Sequence, residues 1–515
     1  MVTNRFVNVG PQFKSFDEFE QCGDKVAYGL AKLGVKEGDV VSVLMRNRMA
    51  YMEVIHACKR LGIYYCPINW HFTPEEVNFI LRDNGSKYVF TESAFIKNIF
   101  EILPDDLHYF CVSSESELSD SDAVKSIQHP YPESISAFDV WRDAQDIYQG
   151  PITSPRGHMA YTSGTTGRPK GVVRFPIPLD ELPARQPAMQ EVAKLALGIQ
   201  QGSRALLTAP FYHSAPSIFS QTALRLCDQY IVMDRFDAEE VLKHIDQYKI
   251  NVVYLVPIMY VRLLKLPQAV REKYDLTSLE FVASTGAPCP PEIKRQMIDW
   301  FGPVINETYA SSEAGMITSI NSIEALKKPG SAGKPMGAGV IHIRDENGQL
   351  CPPLKPGKIY VRQPAYADFT YRNNPEARKK IEMESLVTLG DIGYLDEEGY
   401  LFVCDRESDM VISGGVNIYP AEIENVILTH PGVADCAVVG VPDAEYGEKL
   451  FGFVQPNGTV NMTSESLIDW LKPKAAGYKI PRDFKFQENL PRDDSGKIIK
   501  RRLRDPFWAN QARKV

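Results

Sequence analysis

Between residues 204 and 257 the sequence alternates two textures that can pack together in only a few ways. "RALLTAP" (204–210) and "QYIVMD" (229–234) are apolar runs of strand length. "FDAEEVLKHIDQYKI" (236–250) has a helical period, with Ala238, Val241, Leu242, Ile245 and Tyr248 on one face and Asp237 placed to cap its start. "NVVYLVP" (251–257) is strand-like again, and "VVSVLM" (40–45) has the same style far upstream. This rhythm implies an α/β fold in which helices cover the faces of parallel sheets. At 515 residues the chain is too long for one small domain and has ample material for a large core.

Two stretches break the rhythm. "SSESELSDSDAVKS" (113–126) is polar and acidic and reads as a solvated surface loop; "FPIPLDELPARQP" (175–187) is proline-rich and reads as a flexible excursion. Near Asp405 the texture changes. Residues 397–427 pass from a hairpin-like segment into a glycine-rich turn and then a helix opening at Pro420, and "CAVVGV" (436–441) is a further strand. The division is therefore expected at 407–409, giving a large unit at 1–406 and a small α+β unit at 407–515.

Bulk properties exclude several classes. Lysine plus arginine (57) against aspartate plus glutamate (65) leaves a net charge of -8, which argues against a nucleic-acid surface. No apolar run approaches the roughly 18 residues of a spanning helix, and the amino terminus lacks a basic-then-apolar signal pattern. The nine cysteines are scattered and free of CxxC spacing, which fits reduced, mostly buried thiols in a cytoplasmic protein.

"YTSGTTGRPKGVV" (161–173) carries the densest chemistry. Gly164 and Gly167 permit backbone amides to turn inward, Thr162, Ser163, Thr165 and Thr166 add hydroxyl donors, and Lys170 adds a mobile positive charge. The Walker A pattern fails, because Pro169 stands where its second glycine belongs and Gly171, not Ser or Thr, follows Lys170. Residue chemistry alone leaves two readings open, an anion-binding loop and a polar surface loop.

Six later segments accompany it in order: "PFYHSAP" (210–216), "STGAPCPPEI" (284–293), "NETYASSEAG" (306–315), "LGDIGYLDEEGY" (389–400), "DRESDMVISGGVNIYPAEIE" (405–424) and "PRDDSGKIIKRRLRD" (491–505). Together the seven resemble the motifs of the adenylate-forming superfamily, which includes acyl-CoA synthetases, nonribosomal-peptide adenylation domains and luciferases. The resemblance implies a large amino-terminal domain of stacked, mostly parallel sheets flanked by helices, and a small mobile α+β carboxyl-terminal domain. It also implies chemistry. A carboxylate is joined to the α-phosphate of ATP with release of pyrophosphate, and the acyl group then passes from AMP to a thiol. AMP replaces hydroxide as leaving group, which makes the thiol attack easy.

By the same resemblance, residues 164–170 grip the departing β- and γ-phosphates. Tyr309 stacks on adenine, with Glu307 and Thr308 beside it. Ser312 donates to the α-phosphate and Glu313 ligates Mg2+, a pairing of carboxylate and phosphate oxygens that suits this ion. Gly286, Ala287 and Pro288 supply backbone to the adenine and a wall to the acyl pocket. Asp391 accepts the ribose hydroxyls with Arg406 beside it, although a surface salt bridge accounts equally for Arg406. His213 faces the carboxylate, against the alternative of an ordinary core histidine. Lys497 bridges the substrate carboxylate and the α-phosphate, cancelling their repulsion. Ser408 is the pivot about which the small unit turns, and Gly414 and Gly415 border the passage for the CoA arm unless they serve only a turn. The chain departs from the family pattern at Ala310, usually glycine, which is expected to reshape the acyl wall. It departs also at Ser312, usually threonine, and at Ser408, more often aspartate or lysine in relatives.

The resulting expectation is an ATP-dependent, AMP-forming acyl-CoA synthetase for a hydrophobic monocarboxylic acid, working in the cytoplasm in fatty-acid or lipid metabolism. Its partners are the acid, ATP, Mg2+ and CoA, with no nucleic acid, no transmembrane segment and a homodimer as the assembly considered. Three alternatives stand beside it: loading of a separate carrier protein, a non-catalytic nucleotide-binding regulator, and a luciferase-like oxygenase. The chain ends eighteen residues after Lys497, which favours CoA over a fused carrier domain. Retention of Lys170, Glu313, Asp391 and Lys497 together argues against the regulator.

Overall fold

The strand-like runs of 204–257 become neighbours in one nine-stranded sheet. Its order is Lys334–Pro335, Thr318–Asn321, Ile305–Glu307, Phe281–Ser284, Val252–Leu255, Arg204–Leu207, Gln229–Val232, Phe6–Val9, Gln12–Ser15. The six inner strands run parallel, and the outer strands close each edge in antiparallel pairing. Val252–Leu255 is buried along its whole length, as a strand covered on both faces must be. The helix Ala238–Tyr248 lies between two of these strands in sequence, buries Val241, Leu242 and Ile245, and is capped by Asp237, whose carboxylate accepts from the amides of Glu239 and Glu240. The computed structural model describes residues 5–99, 104, 106–112, 135–162, 169–492 and 498–509; the acidic stretch 113–126 lies outside them.

A second sheet, parallel throughout, takes the order Tyr64–Pro67, Val40–Leu44, Tyr88–Glu92, His108–Val112, Ile135–Ala137. One continuous core joins it to the nine-stranded sheet through the helices Phe16–Lys32 and Met49–Leu61. The second of these helices is buried along most of its length, Glu53 included, and leaves only Lys59 exposed. The two helices close together at Gly23, where an added Cβ would sit 2.6 Å from the His56 ring.

Three antiparallel sheets complete the larger part, the smallest being the pair Ala310–Ser311 and Gly315–Met316. Val340–Arg344, Gly357–Arg362, Leu386–Leu395 and Leu401–Arg406 pair in that order, with Glu382–Met383 also on Leu386–Leu395. Phe369–Tyr371, Lys170–Arg174 and Ala160–Thr162 form a three-stranded sheet. Beyond Arg406 the chain enters another sheet, in which Val416–Ile418, Val411–Ser413, Gly447–Pro456 and Val433–Asp443 are antiparallel and Phe484–Phe486 joins in parallel. Helices Pro420–Ile427 and Ser464–Leu471 pack on it around Val411, Ile423, Val438, Leu450, Leu467 and Phe484, a core that draws on no residue before 411 among those described. The whole is a mixed α/β architecture, a large amino-terminal part with parallel sheets and a small α+β carboxyl-terminal part.

One expectation is corrected. The proline-rich stretch 175–187 is not a flexible excursion throughout, because its second half opens the helix Leu182–Leu197. Pro183 stands in the first turn, where the missing N–H has no partner to lose, and the far end buries Val192, Ala193, Ala196 and Leu197. All nine cysteines are free and six are buried, with burial pushing the Cys66 thiol up to about 12. Among the described residues no helix is long and apolar enough to cross a membrane.

Candidate active site

Four neighbouring parallel strands, Arg204–Leu207, Val252–Leu255, Phe281–Ser284 and Ile305–Glu307, end on the same side of the nine-stranded sheet. The segments that leave their carboxyl ends line one cavity of about 2250 Å3, and open α/β sheets bind ligands at such ends. Thr162, Lys170, His213, Gly286, Ala287, Pro288, Glu307, Thr308, Tyr309, Ser312, Glu313, Asp391 and Arg406 all line it. Ser163, Gly164, Thr165, Thr166, Gly167 and Lys497 lie outside the described residues. Arg492 and Ile498, which flank the segment containing Lys497, line the cavity; Gly414 and Gly415 do not.

The antiparallel strands Ala160–Thr162 and Lys170–Arg174 place Thr162 directly opposite Lys170, so the two ends of the glycine-rich loop meet. Gly171 serves packing rather than conformational freedom: an added Cβ would fall 2.8 Å from the ring of Tyr161, its cross-strand partner. The Lys170 ammonium lies 5.3 Å from the centre of the Tyr371 ring. Tyr371 and Thr162 both donate to Glu313 Oε1, at 3.2 and 3.3 Å. These bonds are long for a hydroxyl donor, so the carboxylate is oriented without being saturated.

Ser312 Oγ lies 2.7 Å from Ser214 Oγ. Ser214 opens the helix Ser214–Leu226, for which His213 is the N-cap without a side-chain bond to the first turn. Ser214, Ala215 and Pro216 line the cavity, so the positive end of this helix faces it and favours an anion there. The His213 ring packs 4.4 Å from the Tyr212 ring.

Tyr309 donates its hydroxyl to Asp391 Oδ2 at 2.5 Å, and burial together with that carboxylate pushes the phenol well above its ordinary value. Asp391 and Arg406 are cross-strand partners, joined at 3.4 Å between Asp391 Oδ1 and Arg406 Nε. The Arg406 side chain is 46% exposed and that of Asp391 8%, so the salt bridge foreseen for Arg406 is present with its carboxylate buried. Beneath the site Lys294 Nζ lies 2.9 Å from Glu307 Oε2, both nearly buried. Burial pulls the Lys294 ammonium down, but the Glu307 carboxylate outweighs it and holds the group above its ordinary value. Thr285 donates to the Thr308 carbonyl at 2.8 Å, and Gly286 adopts φ +94°, which turns the chain back along the cavity wall.

Gly414 and Gly415 close the hairpin between Val411–Ser413 and Val416–Ile418, with φ of +58° and +81°. A two-residue hairpin with both central φ positive needs such residues, so the turn by itself explains them. Ser214, Tyr371 and Arg174 are site neighbours that sequence reasoning missed. Ser214 sits inside "PFYHSAP" beside His213, which is a usable signal; Tyr371 and Arg174 belong to no motif residue of their own.

Comparison with known proteins bears on this geometry. The family model described as AMP-binding enzyme matches residues 3–368, and that of the AMP-binding enzyme C-terminal domain matches 422–497. The chain is 30% identical to 2-succinylbenzoate–CoA ligase of Bacillus licheniformis over 93% of this chain and 92% of that protein. It is 30% identical to feruloyl-CoA synthase of an Amycolatopsis species over 96% and 94%. Among solved structures it resembles o-succinylbenzoate CoA synthetase (MenE) of Bacillus subtilis in complex with the acyl-adenylate intermediate OSB-AMP, at 27% identity and TM-score 0.79 over 98% of this chain and 96% of that one. The same enzyme in complex with ATP and magnesium ion gives TM-score 0.79 at 27% identity over 98% and 97%.

Proposed function

The chain belongs to the AMP-binding enzyme family, and from that premise we propose that it activates a hydrophobic monocarboxylic acid and transfers it to CoA. It is an AMP-forming acid–thiol ligase that uses ATP, Mg2+ and CoA. The acid and the residue roles are our reading. The observation that carries them is the cavity at the strand ends, which gathers residues from all seven of the sequence motifs, Arg406 of the sixth and Arg492 and Ile498 of the seventh among them.

In the first half-reaction a carboxylate oxygen attacks the α-phosphorus, the bond to the β-phosphate oxygen breaks, and pyrophosphate leaves. Lys170 and the loop at 163–167 hold the departing phosphates. Ser312, held by Ser214, donates to the α-phosphate. His213 and the positive end of its helix face the carboxylate, and Lys497 sits between carboxylate and phosphate. Asp391 and Arg406 take the ribose, and Tyr309 the adenine with Glu307, Thr308 and 286–288. Glu313 suits Mg2+, which is usually held by one or two carboxylates plus substrate phosphates, and no group of three or more His, Cys, Asp or Glu able to hold a metal occurs among the described residues. When bound, the ion would offset phosphate charge. In the second half-reaction the CoA thiol, shed of its proton, attacks the acyl carbon and AMP leaves. The division between 406 and 407, the pivot at Ser408 and the passage bordered by Gly414 and Gly415 belong to this proposal. So do a cytoplasmic location and homodimeric assembly.

Apolar walls support the hydrophobic acid: Ala215, Ile218, Val256, Met259, Ala310 and Met316 line the cavity near His213 and Gly286. Ala310 puts a methyl group where the family usually has none. A pyrophosphate-release screen over a panel of carboxylic acids, with and without CoA, tests the reading. Apolar monocarboxylic acids should give the fastest release, and CoA should sustain turnover. Preference for dicarboxylic or polar acids would overturn the substrate class.

A further inference from the structure

Arg174 ends the strand whose first residue is Lys170, and alternate residues of a strand share a face, so the two cations project from the same side. Its half-buried guanidinium reaches two other segments. Nη1 donates to the Ala367 carbonyl at 2.8 Å, and Nη2 donates to the carbonyls of Ser312 and Glu313, each at 2.9 Å. The Tyr366 ring lies against it, 5.2 Å from the guanidinium carbon to the ring centre. All three of these hydrogen bonds go to backbone carbonyls. Among the described residues no carboxylate forms an ion pair with Arg174.

The receiving loop explains why these carbonyls need a donor. Ala310–Ser311 and Gly315–Met316 pair with Ser311 opposite Gly315, so residues 312–314 make a tight turn, with Gly315 at φ +78°. The Ala314 amide bonds to Ser311 Oγ at 2.9 Å, but a turn this short leaves its carbonyls without a ladder partner. Arg174 takes two of them at once. With their carbonyls tied down to Arg174, Ser312 and Glu313 present their side chains to the cavity, where Ser214, Thr162 and Tyr371 meet them.

We infer that Arg174 is a positioning residue of the adenylation step, fixing the 312–313 backbone so that Ser312 Oγ and the Glu313 carboxylate are set for the α-phosphate and its divalent cation. The inference rests on the ligase reading above and adds a residue to it. A guanidinium suits the task because one planar fork serves several acceptors at once, and its charge lies behind a site that must gather anions. Lysine offers a point charge without the fork.

Arg174→Met and Arg174→Lys test it through three measurements on the full chain: pyrophosphate release, thioester formation from supplied acyl-adenylate, and calorimetric titration of ATP at low and high Mg2+. Misplacement of reacting groups by about 1 Å costs on the order of 10²-fold in rate. Arg174→Met should therefore lose about 10- to 100-fold in pyrophosphate release and several-fold in Mg2+-dependent ATP affinity, with thioester formation kept within about threefold; Arg174→Lys should fall between it and the parent. Unchanged release and unchanged Mg2+ dependence would overturn the inference, as would equal loss in both half-reactions. If the methionine variant did not fold, the lysine variant would carry the same test. If the parent protein released no pyrophosphate with any acid, the ligase reading would fall, and the ATP titration would still decide whether Arg174 sets the cation-dependent site.

Discussion

His158 shows how one side chain beside the site reports on its electrostatics. Its ring packs 6.1 Å from that of Tyr65, and burial, with the Arg174 charge adding to it, pulls its pKa down to about 4. The unfolded chain takes up this proton below about pH 6.5, whereas the folded chain resists it until about pH 4. The stabilisation is therefore fully present above pH 6.5 and is lost as the pH falls towards 4, by up to about 3 kcal/mol. His158→Gln has no such proton to take up. Its thermal midpoint should fall less steeply than that of the parent between pH 6.5 and 4.5, and parallel slopes for the two proteins would exclude this role. At this scale the sequence reveals residues whose neighbours are close in the chain. Tyr309, Ser312 and Glu313 share one motif and one wall of the cavity. Arg174 meets Ser312 across 138 residues, Ser214 meets Ser312 across 98, and Tyr371 meets Glu313 across 58. Contacts that distant leave no periodic trace in the sequence, and only the fold assembles them.

The hairpin around Gly414 and Gly415 separates a structural demand from a functional one. An added Cβ at Gly415 meets nothing within 4 Å, so its cost is conformational: φ +81° disfavours any L side chain by roughly 1–2 kcal/mol. Asparagine tolerates this region better than alanine. Gly415→Ala should thus lower stability more than Gly415→Asn in chemical denaturation, while both should slow thioester formation and leave pyrophosphate release largely intact. Equal loss of the two steps in the asparagine variant would leave the turn as the whole explanation. Elements became legible where one pattern dominated a window. The inner parallel strands read as unbroken apolar runs, and Ala238–Tyr248 as a clean helical face. Leu182–Leu197 did not, because prolines at 183 and 187 signal a break even where the first turn tolerates one. The antiparallel strands at 340–362 were equally quiet, since half-exposed strands such as Val340–Arg344 mix charged and apolar residues.

The molecule as a whole has to present one nucleotide to two reactions, and its division of cores makes that feasible. The unit from Val411 onward keeps its own hydrophobic core, so the rotation proposed above would leave the large core closed. Its last helix, Lys500–Arg504, is tied to the connecting segment: Arg504 donates to the Ser408 carbonyl at 2.8 Å and lies 3.3 Å from Asp409, while Lys500 pairs with Glu424 at 2.8 Å. The Glu424 and Asp405 carboxylates outweigh burial and hold the Lys500 ammonium above its ordinary range. That helix begins three residues after Lys497, and Arg492 and Ile498 on either side of Lys497 line the same cavity as Glu313 and Asp391. The arrangement thus supports a lysine delivered to the adenylation site by the small unit and withdrawn when that unit turns about Ser408. On the proposed role, Lys497→Ala removes a cation that bridges carboxylate and phosphate, and losing one such group typically costs on the order of 10²–10³ in rate. Pyrophosphate release should fall by about that factor, because the proposal assigns the lysine to that step alone. Thioester formation from supplied acyl-adenylate should stay within a few-fold, because the mixed anhydride already exists when CoA attacks. A thermal midpoint matching that of the parent would show that the loss is chemical. Equal loss in both steps would instead place Lys497 in a task common to the two reactions and remove the reason for the small unit to turn.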